Sequence, residues 1–227
     1  MAAVLVVGTG TDVGKTYVAA GLLAGLRARG LAVDAFKPLV SGFDPDRPAG
    51  SDPAALLKAL GEPLTTASLA RISPWRFRAP LAPDQAAALE GRTVAAAQVI
   101  EACGRRIDEA GPRTLLIEAA GGIMSPLDEA ATMLDLAVAL GLPTLLVAGA
   151  YLGSISHTLT AARVLAGARI RLIAVAVSET AEAPPFECSF APIQAHLAPI
   201  PVLPVRRGAP PPDGLLDLVA DAAAPRH

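Results

Sequence analysis

The chain is poor in aromatic residues, cysteine, lysine and excess charge. Only 4% of its 227 residues are aromatic, and the formal net charge is −2. This charge argues against the basic face of a nucleic-acid-binding protein, so we predict no nucleic-acid partner. The two cysteines, Cys103 and Cys188, have no metal-site spacing and form no disulfide framework. We expect buried thiols in a reducing cytoplasm.

The chain shows no pattern typical of membrane insertion or export. No basic leader precedes the first apolar run, which indicates no signal peptide. The uncharged stretch 136–156 has the length of a bilayer span. However, Gly141-Leu142-Pro143 interrupts it, and Thr144–Ala148 is typical of a short buried strand. We therefore predict no membrane association and a cytoplasmic location.

What the chain does have is apolar residues in a regular strand–helix rhythm. The apolar fraction is 52% and the mean hydropathy is +0.47, and the length suits one domain spanning residues 1–227. The alternation predicts an α/β fold with a doubly wound, mostly parallel sheet and helices on both faces. The predicted strands are Ala2–Val7, Val33–Phe36, Thr114–Ile117, Thr144–Ala148, Ile170–Val177 and Val202–Val205. The predicted helices are Lys15–Arg29, Pro53–Leu60, Val94–Ala110, Met133–Leu140, Thr158–Ala166 and Leu215–Ala223. The predicted loops are Phe43–Gly50, Ala183–Pro185 and Ala209–Gly214.

The segment from Gly8 to Thr16, with the sequence GTGTDVGKT, has the pattern of a phosphate-binding loop. It follows a predicted strand and opens a predicted helix, the context that this motif requires. Lys15 would reach the β- and γ-phosphates, and the Thr16 hydroxyl would bind Mg²⁺. Its first glycine stands one place earlier than in the common spacing. A glycine-rich turn that binds nothing is the alternative.

Three other charged residues follow predicted strands or open a predicted helix. Lys37 ends the second strand, where a cation can neutralise a transferring phosphoryl group; a solvated surface lysine is the alternative. Glu118 ends the third strand and is placed to bind Mg²⁺. Asp52 precedes a proline, so the interpretation as a helix N-cap is at least as well supported as the interpretation as a metal ligand. In the loop before the Thr158 helix, Ser156 is a candidate N-cap.

Five segments in order resemble the dethiobiotin synthetase family over nearly the whole chain. They are the loop 8–16, Phe36-Lys37-Pro38-Leu39-Val40-Ser41-Gly42, Ser51-Asp52, Glu118-Ala119-Ala120-Gly121-Gly122 and Leu152-Gly153-Ser154-Ile155-Ser156-His157. The resemblance implies an ATP-dependent cyclo-ligase that uses Mg²⁺ and joins 7,8-diaminopelargonic acid to CO₂. It implies a carbamate, a carbamic-phosphoric anhydride and closure of a cyclic urea. It also implies a homodimer in which the loop 152–156 reaches the partner's site.

The resemblance assigns roles residue by residue. It makes Lys37 and Lys15 catalytic, and Thr16, Asp52 and Glu118 the metal set. The implied nucleotide contacts are Thr11, Asp12, Val13, Gly14, Lys15, Thr16, Tyr17, Asp52, Glu118, Ala119, Ala120, Gly121, Ser178, Glu179, Pro201, Val202 and Leu203. The implied substrate contacts are Ser41, Gly122, Gly153 and Ser156.

The chain departs from the family at three places. Ala119 stands where many members have Gly, and Ser156 where many have Asn. Ser178-Glu179 replaces the Asn-Asp pair that reads adenine in many members, so the base preference stays open.

Three rival functions fit parts of this pattern. A switch ATPase of the partitioning or iron-protein type usually carries a second lysine early in the loop, where this chain has Gly10. An amide-forming synthetase would need an amidotransferase domain for which the chain is too short. A purely structural nucleotide-binding domain would make the placement of Lys37, Asp52 and Glu118 a coincidence.

Overall fold

A computed structural model describes residues 2–180 and 184–224, and it shows an α/β fold built on one parallel sheet. Its six strands are β1 (Ala3–Gly8), β2 (Val33–Phe36), β5 (Thr114–Glu118), β6 (Thr144–Gly149), β7 (Leu172–Ser178) and β8 (Val202–Val205). They lie in the order β2-β5-β1-β6-β7-β8, and every adjacent pair is parallel. The predicted fold class and all six strands are confirmed. Strand β1 lies inside the sheet, between β5 and β6. The loop that follows it therefore lies at the middle of the rim, the edge of the sheet formed by the carboxyl ends of the strands.

Helices cover both faces of the sheet. They are α1 (Lys15–Ala28), α2 (Asp52–Leu60), α3 (Thr66–Ile72), α4 (Pro83–Leu89), α5 (Ala96–Ala110), α6 (Met133–Leu140), α7 (Ser154–Gly167), α8 (Glu187–Leu197) and α9 (Asp213–Ala223). The central strand explains the arrangement, because its side chains alternate between two cores. Val4 and Val6 belong to the core that includes α1, α2 and α9 residues. Leu5 and Val7 belong to the core that includes α5 to α8 residues. The doubly wound prediction is therefore confirmed.

Several short elements were not predicted. A second, two-stranded sheet joins β3 (Leu39–Val40) to β4 (Trp75–Arg76). Strands of two residues are too short to show a period, so no pattern indicates them. Helices α3, α4 and α8 were also missed, the last because Pro192 interrupts its helical pattern.

Two predictions about helix starts are wrong. Helix α7 begins at Ser154, not Thr158, and Gly153 occupies its N-cap position with φ 97°. Ser156 therefore lies inside the helix and does not cap it. Helix α2 is capped by Ser51, whose Oγ accepts from the Ala54 N–H, so Asp52 is its first helical residue and not its cap.

The cysteine prediction is half right. Cys103 is buried, and burial raises the pKa of its thiol to about 12. Cys188 is exposed because it lies on the solvent side of α8. Ala183, in the predicted loop 183–185, lies outside the described residues. Within the described ranges, no helix is both long and apolar enough to cross a membrane.

Candidate nucleotide-binding active site

The phosphate-binding loop connects β1 to α1, as predicted. Gly14 has φ 89°, a backbone conformation that favours glycine, and a Cβ there would lie 2.5 Å from the Ser178 Oγ. A Cβ on Gly8 would lie 2.8 Å from the Lys15 Cδ. The Lys15 side chain folds back over the loop, and its ammonium donates to the Gly10 carbonyl at 2.6 Å. Gly14 is thus required by the backbone conformation of the loop and by the close approach of Ser178, and Gly8 leaves room for the Lys15 side chain.

Lys37 directly follows β2, the strand at one edge of the sheet, and its side chain faces the phosphate-binding loop. Its Nζ lies 2.5 Å from the Glu118 Oε1, 2.6 Å from the Asp52 Oδ2 and 3.2 Å from the Thr16 Oγ1. Thr16 also donates to the Glu118 Oε1 at 2.7 Å. These four residues come from β5, α1, α2 and the segment after β2. Parallel strands bring their carboxyl ends to one rim, which is why residues distant in sequence meet here.

Burial and charge act differently on the two lysines. For Lys15, burial is the largest influence and lowers the pKa to about 8, although Glu118 opposes this effect. Burial also disfavours the charged form of Lys37, but Glu118 and Asp52 outweigh it and raise its pKa above the usual range. Lys37 therefore carries its charge firmly, while Lys15 has no counter-ion in contact within the described part of the chain.

A cavity of about 590 Å³ opens in front of these groups. Lys15, Lys37 and Glu118 contribute charged groups to its lining, and Leu39 and Leu81 contribute apolar side chains. Ser41 lines it too, and its buried Oγ has no hydrogen-bond partner among the described residues. The cavity therefore offers cations, a spare hydroxyl and apolar side chains.

Most of the predicted loop and strand-end contacts line this cavity. They are Thr11, Asp12, Gly14, Lys15, Thr16, Tyr17, Lys37, Ser41, Asp52, Glu118, Ala120 and Gly121. Val13 and Ala119 are instead buried in the two cores. Gly122 packs behind the loop, where a Cβ would lie 3.1 Å from the Thr9 carbonyl oxygen.

The other predicted nucleotide contacts lie on the β7–β8 side of the rim. Ser178 ends β7 beside Gly14, and the Glu179 Oε2 accepts from the Arg207 N–H at 3.0 Å. Pro201, Val202 and Leu203 lie at the beginning of β8, whereas the rim is formed by its opposite end, at Val205. The structure thus does not bring these three residues to the loop. Arg206, which was not predicted, contacts the first turn of α1, because the Tyr17 hydroxyl donates to its carbonyl oxygen at 3.1 Å.

Other residues at the site were also not predicted from the sequence. Pro80 to Pro83 and Leu39 form the apolar wall of the cavity. They meet because β3 pairs with β4 and the Gly42 N–H donates to the Ala79 carbonyl at 3.1 Å. Ser125 lines the same cavity and accepts from the Gly122 N–H at 2.8 Å. No sequence motif marks any of these residues.

The loop that was predicted to reach a partner lies away from the Lys37 cluster. Leu152 is 90% exposed, and Gly153 and Ser156 begin α7. A second cavity of about 450 Å³ lies between the phosphate-binding loop and α7, lined in part by Met124, His157 and Val164. Gly153 and Ser156 thus do not line the 590 Å³ cavity of their own chain.

The predicted metal ligands fit a hard divalent cation. Among residues 2–180 and 184–224 no group of three or more His, Cys, Asp or Glu side chains is placed to bind a metal. A nucleotide-linked Mg²⁺ needs fewer protein ligands, because phosphate and water supply the rest. Thr16, Asp52 and Glu118 offer only oxygen, and the buried Glu118 Oε2 has no hydrogen-bond partner among the described residues. This spare carboxylate oxygen is consistent with a cation ligand.

Fold and site together define a nucleoside-triphosphate-binding protein of the phosphate-loop class. A family model described as an AAA domain matches residues 2–205. The chain is similar, over 98% of its length, to the chloroplast FtsY of Physcomitrella patens, with a TM-score of 0.51 and 17% identity. It spans 65% of that solved chain, and this likeness concerns the fold alone.

Curated relatives are much more similar in sequence. An ATP-dependent dethiobiotin synthetase of Caulobacter sp. is 49% identical over 208 residues, which cover 92% of this chain and 89% of the relative. The protein of the same name from Methylobacterium nodulans is 48% identical over 224 residues, covering 96% and 99%. The chain belongs to the ATP-dependent dethiobiotin synthetase family.

Proposed function

We propose that this enzyme closes the cyclic urea of dethiobiotin from 7,8-diaminopelargonic acid and CO₂, with ATP as co-substrate, in biotin biosynthesis. The relatives named above support this reaction. The observation that carries the proposal is the Lys37 ammonium at the rim, facing the same cavity as Lys15. The reaction takes place in the cytoplasm, in keeping with its use of ATP.

Three steps convert the diamine into the urea. One amine adds to CO₂ and loses a proton, which gives a carbamate. A carbamate oxygen attacks the γ-phosphorus, ADP leaves, and a carbamic-phosphoric anhydride forms. The neighbouring amine then attacks the carbamate carbon, loses a proton and expels inorganic phosphate. No step needs a covalent enzyme nucleophile.

The protein contributes cations and positioning. Lys15 and Lys37 offset the negative charge that builds between the carbamate and the γ-phosphate. Mg²⁺, held by Thr16, Asp52 and Glu118, would supply further positive charge to the triphosphate. Because the Lys15 pKa is lowered to about 8, the approach of a triphosphate would also favour its charged form.

The shape of the cavity suits the organic substrate. The aliphatic chain of the diamine would lie against Leu39 and Leu81, while its amines would lie near Ser41 and Lys37. The buried Ser41 Oγ would then obtain the hydrogen bond that it lacks in the described structure.

A homodimer would complete the carboxylate end of this site. Two apolar side chains are exposed on this face: Met124 lines the 450 Å³ cavity, and Leu152 lies on the adjoining loop. The Thr9 Oγ1 in that cavity is buried and has no partner among the described residues. Burying this face against a second copy would place the partner's loop 152–156 near the substrate carboxylate.

Product analysis tests the function directly. The enzyme is incubated with ATP, Mg²⁺, bicarbonate and the diamine, and the products are identified by mass spectrometry. We expect one ADP and one phosphate for each cyclic urea, and slow ATP hydrolysis when the diamine or bicarbonate is omitted. Rapid hydrolysis without diamine would instead favour a switch ATPase.

A further inference from the structure

The Lys37 ammonium contacts one oxygen of each of the three side chains that are proposed to hold the divalent cation. It lies 2.5 Å from Glu118, 2.6 Å from Asp52 and 3.2 Å from Thr16. A lysine ammonium has three N–H donors, and here each has one acceptor. The ammonium is therefore held as a small cation would be, by the oxygen set of the metal site.

This arrangement sets two roles of the site against each other. A divalent cation needs oxygens of the same two carboxylates at short range, and an ammonium 2.5 to 2.6 Å from the Glu118 Oε1 and the Asp52 Oδ2 would repel a cation bound to the other oxygen of each group. As long as Lys37 binds both carboxylates, its N–H donors are not free for an anion in the cavity. Metal binding and anion binding by Lys37 are therefore linked through one set of oxygens.

We propose that Lys37 is an internal counter-cation of the metal site, and that the divalent cation displaces its ammonium from Asp52 and Glu118 and so frees it for the anionic substrate. The proposal rests on the metal site assigned under the proposed function. It adds an order of events, because Lys37 becomes available only after the metal has bound.

The surroundings of Lys37 allow such an exchange with little backbone movement. The backbone N–H of Lys37 donates to the Ile72 carbonyl at 2.8 Å, and the backbone carbonyl of Lys37 accepts from the Ser73 Oγ at 2.7 Å. The change is thus confined to a flexible four-carbon side chain. The Asp52 side chain is 48% exposed, so a hydrated cation can reach it, whereas Glu118 is buried and fixed on β5. By linkage, the cation weakens the hold on Lys37 as much as Lys37 weakens the hold on the cation.

The first experiment uses the unaltered chain, which has only three lysines, Lys15, Lys37 and Lys58. The lysine Cε atoms are labelled with ¹³C, and Mg²⁺ is titrated without nucleotide or diamine. We expect the Lys37 signal to shift most and the exposed Lys58 signal to stay unchanged. Metal binding, measured in parallel with Mn²⁺ by electron paramagnetic resonance, with a Lys37 signal that stays in place would overturn the proposal.

The second experiment compares two variants that each remove one ammonium from the site. Lys37→Met should bind Mn²⁺ roughly tenfold more tightly than the parent chain, since a competing charge-assisted contact is gone. Lys15 is a buried neighbour that bonds to Gly10 and not to the carboxylates. Lys15→Met should therefore change Mn²⁺ affinity by less than roughly threefold. Equal gains in both variants, or no Mn²⁺ binding by any of the three proteins, would refute the exchange.

These measurements contain no ATP and no diamine, so they separate the exchange from the reaction. A positive metal exchange with no cyclic urea would reject the synthetase chemistry alone. A cyclic urea formed by an enzyme whose Lys37 signal ignores the metal would reject the exchange alone.

Discussion

Two buried ionic clusters with opposite charge patterns are centred three residues apart, on Asp34 in edge strand β2 and on Lys37 directly after it. Around Asp34, one carboxylate accepts from Arg71 at 2.9 Å and Arg106 at 2.8 Å, with Arg113 at 3.7 Å. Around Lys37, one ammonium contacts two carboxylates and a hydroxyl. Both central side chains are almost completely buried.

The clusters differ in what they leave unsatisfied. Both Asp34 oxygens have donors, and none of the described cavities opens onto them. The Glu118 Oε2 beside Lys37 has no donor among the described residues and lies at a cavity. Arg71 comes from α3 and Arg106 from α5, so Asp34 ties helices on opposite faces to strand β2. We interpret the saturated cluster as a tie that holds the edge strand, and the unsaturated one as the proposed ligand site.

The largest expected effect comes from neutralising Lys37. Lys37→Gln should reduce turnover by roughly 10² or more, the scale of losing one preorganised donor to a developing charge. The fold should remain intact, because the cavity and not the core loses a charge. Product formation and thermal unfolding measured on the same sample check this, and near-normal turnover would remove Lys37 from the mechanism.

Neutralising Asp34 should lower the stability of the fold and leave turnover nearly unchanged. Asp34→Asn leaves guanidinium groups around a neutral amide and should cost about 2 kcal/mol of unfolding free energy, less than for a fully enclosed pair because Arg71 is partly exposed. The turnover of the folded fraction should change little. Urea unfolding gives the free energy; if turnover instead fell as far as in Lys37→Gln with stability unchanged, the division between the clusters would be wrong.

Lys15 sharpens the comparison through pH. Its pKa is about 8 in the folded chain against an ordinary 10.5, so between these values the unfolded chain holds the extra proton. The stability contributed by this group therefore rises with pH across that window. The lowered pKa costs the parent about 3 kcal/mol at pH 7, and the lost hydrogen bond to Gly10 offsets about 1 kcal/mol of the gain in the variant. Lys15→Met should therefore be more stable than the parent by about 2 kcal/mol at pH 7, and the difference should shrink towards pH 10. The exposed Lys58→Met serves as control and should show no such trend; a gain that is constant with pH would contradict the assignment.

Arg113 gives the smallest expected effect. It lies 3.7 Å from Asp34, and its side chain is 45% exposed. Arg113→Ala should cost less than about 0.5 kcal/mol, because an exposed pair at that distance gains little. Arg106→Ala, whose side chain is 11% exposed, should cost clearly more in the same unfolding experiment. Equal costs would mean that burial does not set the strength of this cluster.

The same contrast explains how far the sequence predicts the molecule. Lys37 and Glu118 were predictable, because each is a charged residue at the end of a predicted apolar strand. In a parallel sheet such strand ends lie at the rim. The Asp34 cluster was not, because Arg71 and Arg106 are 37 and 72 residues away and belong to helix faces without a motif. Asp52 shows an intermediate case. Its position before Pro53 suits a cap, and only the tertiary contact with Lys37 shows that its side chain lies at the candidate site.

The apolar wall of the cavity was hidden for a related reason. Leu39 and Leu81 meet across β3 and β4, whose two-residue strands carry no period. Local sequence thus predicts the phosphate-binding end of the site, where backbone geometry demands particular residues. Apart from Ser41, it does not predict the residues around Leu39 and Leu81, which are brought together by the tertiary fold and belong to no motif.

The transfer of oxygen from bicarbonate to phosphate tests the central mechanism most directly. The reaction is run briefly with [¹⁸O]bicarbonate in unlabelled water, and the inorganic phosphate is analysed by mass spectrometry. If a carbamate oxygen attacks the γ-phosphorus between Lys15 and Lys37, one ¹⁸O should appear in each phosphate released. Unlabelled phosphate formed alongside labelled cyclic urea would contradict this account.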